Sequence, residues 1–490
     1  LASTLLASSA LLGACTPTDS TAPQTASDTA ATKDKLAVAD TSADAANKPE
    51  IGTFGFDEKG MEKSIVPGND FYDYANGTWQ KETVIPADKS NYGLFGALAD
   101  LSQERTRTIL QDAEKDPNSK IGTAYATYLD SAAIDAKGLT PIKPWLDTIE
   151  QLSSKAGYPE LLAQASRNGV TGPFAPYIGQ DDKNPDYYAM NLYQAGLGLP
   201  DRDYYLSDEA KSAETRAAYV AHMAKMLTMA GESNAEARAK AVMDLETAIA
   251  KAHWTRVESR DANKTYNKMT IAQLQQKAPG FDFATFFKAG GANVDSVIVA
   301  QPSAIAGEAK VVADAPLQAL KDQLLIRSLD NYSDVLPKQF DDEHFAFYGT
   351  KLSGTPEQQA RWKRGVDNTS SILADDVSKI YVQKYFPPAA KAAADQMVQN
   401  IIAAMGRRID QLDWMAPETK VKAHQKLAAF TPKIGYPDQW HDYSSLVIKS
   451  GDAFGNNLRA NQWQADYDLA KLGKKIYEWE WGMTPMTVNA

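Results

Sequence analysis

"NIIAAMGRRIDQLDWM", residues 400–415, sets the reading of the whole chain. Ile401, Ile402, Met405, Ile409 and Leu412 recur at three- and four-residue steps, with Arg407, Arg408 and Asp410 between them. That spacing gathers the apolar side chains on one helical face and predicts a single buried stripe. The same period runs through 215–231 and 234–254, where Gly231-Glu232-Ser233 supplies a stop and a cap. Helices are also expected over 98–115, 119–131, 141–151, 159–168, 271–276, 317–329, 356–386 and 418–430. Strand signals are few. "GPFAPYIGQDD" (172–182) followed by "DYYAMNLYQAG" (186–196) reads as a hairpin, and "VIVAQPS" (297–303) as a short edge strand. No fixed-period repeat is visible, and the expected fold class is mainly α, a large multi-helix lobe with a few short strands.

The amino-terminal 50 residues have a different texture. "LASTLLASSALLGAC" (1–15) has the apolar middle and small-residue exit of a secretory signal without its basic start, and Leu12-Gly13-Ala14-Cys15 fits a lipobox in which Cys15 is lipidated. Residues 16–50 contain no aromatic side chain and almost no bulky aliphatic one, too little to offset the entropy of ordering. They read as a tether, giving a leader at 1–15 and a disordered link at 16–52. Cys15 is the single cysteine of 490 residues, which excludes an intramolecular disulfide and a cysteine-based zinc site. A net charge of −11 offers no basic footprint for nucleic acid. No later apolar stretch approaches the roughly 18 residues of a membrane span, so the expected membrane contact is the lipid alone.

The survey for chemistry is mostly negative. No G-x-S-x-G elbow, Walker loop or three-glycine dinucleotide fingerprint occurs. The five histidines, at 222, 253, 344, 424 and 441, are scattered, and none begins an H-E-x-x-H. Glu343-His344 would suit the inverted motif only with a histidine at 340, which is Phe340. Arg202 reads as a structural residue pairing with Asp201 or Asp203, and Trp79, Tyr92, Trp362, Trp414 and Trp440 as core aromatics. The residues by themselves show no catalytic constellation.

Five ordered blocks carry the reading further: "GNDFYDYANGTWQKETVIPADKSNYGLFGAL" (68–98), "GLGLPDRDYYL" (196–206), "RWKRGVDNTS" (361–370), "LDWMAPETKVKAHQKLAAFTPKIGYPDQW" (412–440) and "EWGMTPMTVNA" (480–490). Together they resemble the neprilysin-type zinc peptidases, the M13 family, whose bacterial members include oligopeptidase O. The resemblance implies an amino-terminal helical domain over 53–460 and, over 461–490, the start of a thermolysin-like α/β catalytic lobe. It implies Zn²⁺ in the complete enzyme, with ligands on an H-E-x-x-H and a later glutamate that this sequence does not contain. The chain is therefore expected to be a piece of a longer reading frame, cut at both ends and inactive alone.

By the same resemblance Asn489 and Ala490 match the family's substrate-binding pair, an edge strand that clamps oligopeptide substrates. The final ten or so residues, lacking the rest of that cleft, are expected to fray. Asn91 and Ala99 stand where animal members carry arginines for a substrate's terminal carboxylate, so a preference for free C-terminal dipeptides is not implied. The expected location is the cell envelope, lipid-anchored on the periplasmic side of the outer membrane. A stand-alone peptide-binding lipoprotein without catalysis is the alternative.

Overall fold

The computed structural model describes residues 57–489, divided into two compact units at Pro86/Ala87. The expected leader and tether, with Cys15, lie outside the described residues, as does Ala490. The described part of the smaller unit (57–86) centres on helix Phe71–Glu82, capped by Asp70, whose carboxylate accepts the Asp73 amide at 2.9 Å. The preceding loop folds back on it: Thr78 Oγ1 donates to the Met61 carbonyl at 2.9 Å, and Lys81 pairs with Glu62 at 2.8 Å. Gly77 is required by that approach, since a Cβ there would stand 2.7 Å from the Glu62 Cβ.

In the larger unit the expected hairpin forms, β1 (Phe174–Asp181) antiparallel to β2 (Asn184–Gln194). Two short strands, β3 (Asn267–Thr270) and β4 (Ser296–Val299), complete a sheet of order β1-β2-β4-β3. β4 is thus interior, parallel to β2 and antiparallel to β3, and not the edge its brevity suggested. Its Val297, Ile298 and Val299 are all buried, as continuous apolar runs are in covered strands. The edge goes to β3, "NKMT", whose polar composition gave no strand signal.

The remaining framework is helical, with corrections at the joints. The long helix expected over 356–386 is two, Arg361–Ile372 and Ala374–Tyr385, broken at the wholly buried Leu373. The 119–131 segment divides at Asp130, whose side chain caps the next helix by accepting the Ala133 amide at 3.0 Å. Helix Ala453–Lys471, not anticipated, runs through position 460 without interruption.

The largest departure is the opening stripe. Helix Pro388–Gln411 forms, but Met397, Ile401 and Met405 are 58, 59 and 50% exposed, and Ile409 alone on that helix is buried. Its neighbour, helix Pro417–Ala428, buries no residue; Val421 and Phe430 are exposed, and Trp414 is 73% exposed instead of a core aromatic. The periodicity is that of a buried face, yet no described element covers it. Leaving such side chains in water forgoes roughly 1.5–3 kcal/mol each.

Helix Leu317–Asn331 organises the interior. It is buried on nearly every face yet carries charge, and each charge meets a neighbouring helix. Lys321 reaches Glu150 at 3.0 Å, Asp322 takes Arg238 at 2.6 Å, Arg327 holds Glu246 at 2.7 Å and Asp330 meets His222 at 3.0 Å. Glu246 is fully buried, and its second oxygen accepts the Tyr205 hydroxyl at 2.6 Å. That hydroxyl in turn accepts the Gly198 and Leu199 amides, both at 2.9 Å, which is the structural work of the block "GLGLPDRDYYL". Gly198 is fixed by space, since a Cβ would fall 1.8 Å from the Tyr219 hydroxyl. Arg202 donates to the Ala250 carbonyl at 3.3 Å, while Asp201 pairs with Arg256, so the expected local pairing does not form.

Removing one partner of a buried pair leaves the other charge stranded, at a cost of about 3–5 kcal/mol. Arg327→Met should therefore lower unfolding stability by that amount in urea titration, and adding Glu246→Gln should restore part of it. An Arg327→Met protein as stable as the parent would contradict this role.

Candidate functional site

The last described segment, 472–489, is laid onto the helical unit. The Tyr188 amide donates to the Lys474 carbonyl at 3.0 Å and the Ile476 amide to the Asp186 carbonyl at 2.9 Å, extending the outer end of β2. Beyond it Glu480 is caught from several sides. Its carboxylate meets His441 Nε2 at 3.1 Å, Lys471 Nζ at 3.1 Å and the Tyr188 hydroxyl at 3.1 Å, and Lys433 holds its backbone carbonyl. The other nitrogen of His441 lies 2.6 Å from Asp375. Burial works against charge on this imidazole, but its bonds to Asp375 and Glu480 win and raise it to about 9. Burial likewise opposes the Glu480 anion, yet His441 and Lys471 hold its carboxyl down to about 2.

Further along, Met486 packs on the core around Ile109 and Tyr125, and its carbonyl accepts the Ser102 hydroxyl at 2.7 Å. Met486 therefore ties the last described segment to the helical unit. No strand forms over 484–489, because no sheet edge runs beside it among the described residues. Asn489 is exposed three positions beyond Met486. Ser102 belongs to helix Leu94–Ala113, and Ala99 sits one turn before it on an exposed position, with Asn91 exposed in the preceding loop. The contact is made by Met486, three positions before Asn489, on the helix that carries Ala99.

On the next residue of the same helix, Gln103 Nε2 donates to Asp367 at 3.0 Å. Asp367 lines a polar cavity of about 340 Å³, with Asn331, Asp334, Arg364, Asn368 and Asn461 among its walls. Sequence reading missed this cavity, although "RWKRGVDNTSS" (361–371) held a signal: Arg364, Asp367, Asn368 and Ser371 recur at helical spacing and share a face.

The histidines do not make a metal centre. His222 lies between Asp330 at 3.0 Å and Glu343 at 3.2 Å; burial opposes its charge, but the carboxylates raise it to about 9. A metal needs a neutral imidazole lone pair, and the protonated rings of His222 and His441 offer none. His344 shares Asp330 with His222, His253 Nε2 meets the Ala195 carbonyl at 3.1 Å while burial lowers the imidazole to about 4, and His424 pairs with Asp410. Among the described residues no three His, Cys, Asp or Glu side chains are placed to hold a metal ion. The residues present do not fit zinc.

A mainly helical body with a small sheet is the fold class the comparisons return. The model of peptidase family M13 matches residues 67–437, and the chain belongs to that family. Among solved structures it is similar to the zinc metalloprotease ZMP1 of Mycobacterium tuberculosis in complex with inhibitor, at 34% identity and a TM-score of 0.84, over 89% of this chain and 67% of that one. It is 28% identical to an endothelin-converting enzyme homolog of Locusta migratoria, over 88% of this chain and 64% of the relative. Human neprilysin is 27% identical over 88% of this chain and 63% of its own length. The chain spans about three fifths of the length of such relatives.

The latch has a pH signature. The folded imidazole of His441, near 9, lies above its ordinary 6.5, so its stabilisation is fully present below pH 6.5 and is lost as pH rises through 9. His441→Gln should accordingly be less stable than the parent at pH 6, with the gap narrowing towards pH 9 in chemical unfolding. A gap that stays constant over this range would contradict the charged latch.

Proposed function

We propose that this chain is the helical, substrate-enclosing portion of a zinc metalloendopeptidase of family M13 that hydrolyses oligopeptides. The carrying observation is the family match over 67–437. Zinc would be held by residues outside this sequence. This chain's own part is to admit a peptide, exclude folded proteins and fix the peptide backbone. Asn489 suits the last task, since a primary amide both donates to and accepts from a backbone, and the Ala490 backbone suits pairing with it as an added strand. The absence of arginine at Asn91 and Ala99 favours internal cleavage over release of C-terminal dipeptides.

The exposed stripe of Met397, Ile401 and Met405 separates this reading from a stand-alone binding module. A module complete in itself would leave that face in water, whereas a peptidase with a further lobe has something to cover it. The lipobox supports a second placement, with Cys15 anchoring the protein at the periplasmic side of the outer membrane.

In protein carrying the part of the family's length that this chain does not span, Asn489→Ala should lower kcat/KM for oligopeptides by roughly 5- to 150-fold, the loss of one hydrogen bond in a partly dehydrated cleft. Zinc content and thermal stability should stay unchanged, and unaltered kinetics would remove Asn489 from the site. For the anchor, Cys15→Ser should shift the protein from the membrane to the soluble fraction. Identical fractionation would refute lipidation.

A further inference from the structure

We propose that the polar cavity beside helix Arg361–Ile372 is a subsite for an alkylammonium group on a peptide, either a lysine side chain or a free amino terminus. The inference rests on the peptide-binding reading above and names the chemistry that one part of it selects.

At about 340 Å³ the cavity is at the small end of ligand pockets, which start near roughly 300 Å³. Two carboxylates line it, Asp334 and the exposed Asp367. Asp334 Oδ2 accepts the Tyr128 hydroxyl at 3.1 Å, and Asp367 Oδ1 accepts Gln103 at 3.0 Å; neither carboxylate forms an ion pair among the described residues. The lining cation, Arg364, is committed to Asp341 at 2.7 Å. Arg361, close by, lies 4.0 Å over the Tyr128 ring and donates to the carbonyl oxygen of Asp334 at 2.8 Å, not to its carboxylate. Burial pushes the carboxyls of both Asp334 and Asp367 up, against the pull of Arg361 and Arg364 on the first and of Lys363 on the second.

Neutral acceptors complete the wall. Asn461 spends its amide hydrogens on the Tyr332 hydroxyl at 2.9 Å and the Asn168 carbonyl at 3.3 Å, which leaves its side-chain oxygen as an acceptor, and Asn331 stands exposed beside it. An ammonium group has three donors and no acceptor, the complement of this inventory. An anionic ligand would meet two carboxylates instead. The described residues supply no group of three carboxylate, imidazole or thiolate ligands for a metal ion.

Calorimetric titration of the 490-residue chain with three alanine-flanked tripeptide amides tests this. One is acetylated with a central lysine, one has a free amine and a central norleucine, and one is acetylated with a central norleucine. The account expects the first or the second to bind, which identifies the source of the ammonium, and the third not to. Asp334→Asn together with Asp367→Asn should weaken binding by about 10- to 150-fold, the worth of hydrogen bonds to charged groups. Ser371→Phe, filling the cavity from an exposed position without touching a carboxylate, should also block it while leaving the unfolding midpoint in place. Equal binding of all three peptides, binding of none, or binding indifferent to both variants would overturn the proposal. No turnover is read, so failure of peptide hydrolysis in the complete protein counts against the peptidase reading alone.

Discussion

A helix buried on every side can carry charge only where each charge meets a partner, and helix Leu317–Asn331 carries four: Lys321, Asp322, Arg327 and Asp330. Their partners, Glu150, Arg238, Glu246 and His222, come from three different helices, and each pairing fixes both rotation and register of the helix that supplies it. An apolar interface of the same area would tolerate sliding, because dispersion and burial are not directional. Charges do not, because a shift of one turn strands them. The consequences spread outward: Glu246 positions the Tyr205 and Gly198 turn, and the end of the central helix delivers Asn331, Tyr332 and Asp334 to the cavity wall.

The same economy of polar contacts governs the end of the chain. Residues 472–489 are not held by a hydrophobic core of their own but by the Glu480 cluster, a short extension of β2 and the Met486 to Ser102 bond. Helix Pro388–Gln411 shows the opposite situation, an apolar face with no described element against it. One segment is tightly keyed to the helical unit, and one apolar face is exposed among the described residues.

Local periodicity made most helices legible, along with the β1–β2 hairpin, because both depend on near-neighbour spacing. It failed where a tertiary contact decides. Leu373 breaks a helix because its side chain is drawn into the core, and β4 becomes interior because β3 arrives from a polar segment without strand composition. Periodicity also cannot tell a face that folding covers from one it leaves exposed, which is why Ile401 and Met405 read as core and are exposed. The family was legible from five blocks, and its model matches residues 67–437. The cavity was not legible, because Asp334, Asp367 and Asn461 come from three separated stretches that only folding brings together.

Under the proposed function this chain contributes the enclosure and the backbone clamp, and the metal chemistry belongs to residues it does not contain. Metal analysis of the purified chain beside the completed protein tests that most directly. The account predicts no stoichiometric zinc in the chain alone, where no three ligands converge among the described residues, and about one zinc per molecule in the completed, peptide-cleaving protein. About one tightly bound zinc on the chain alone, lost with substitution of any of its five histidines, would contradict it.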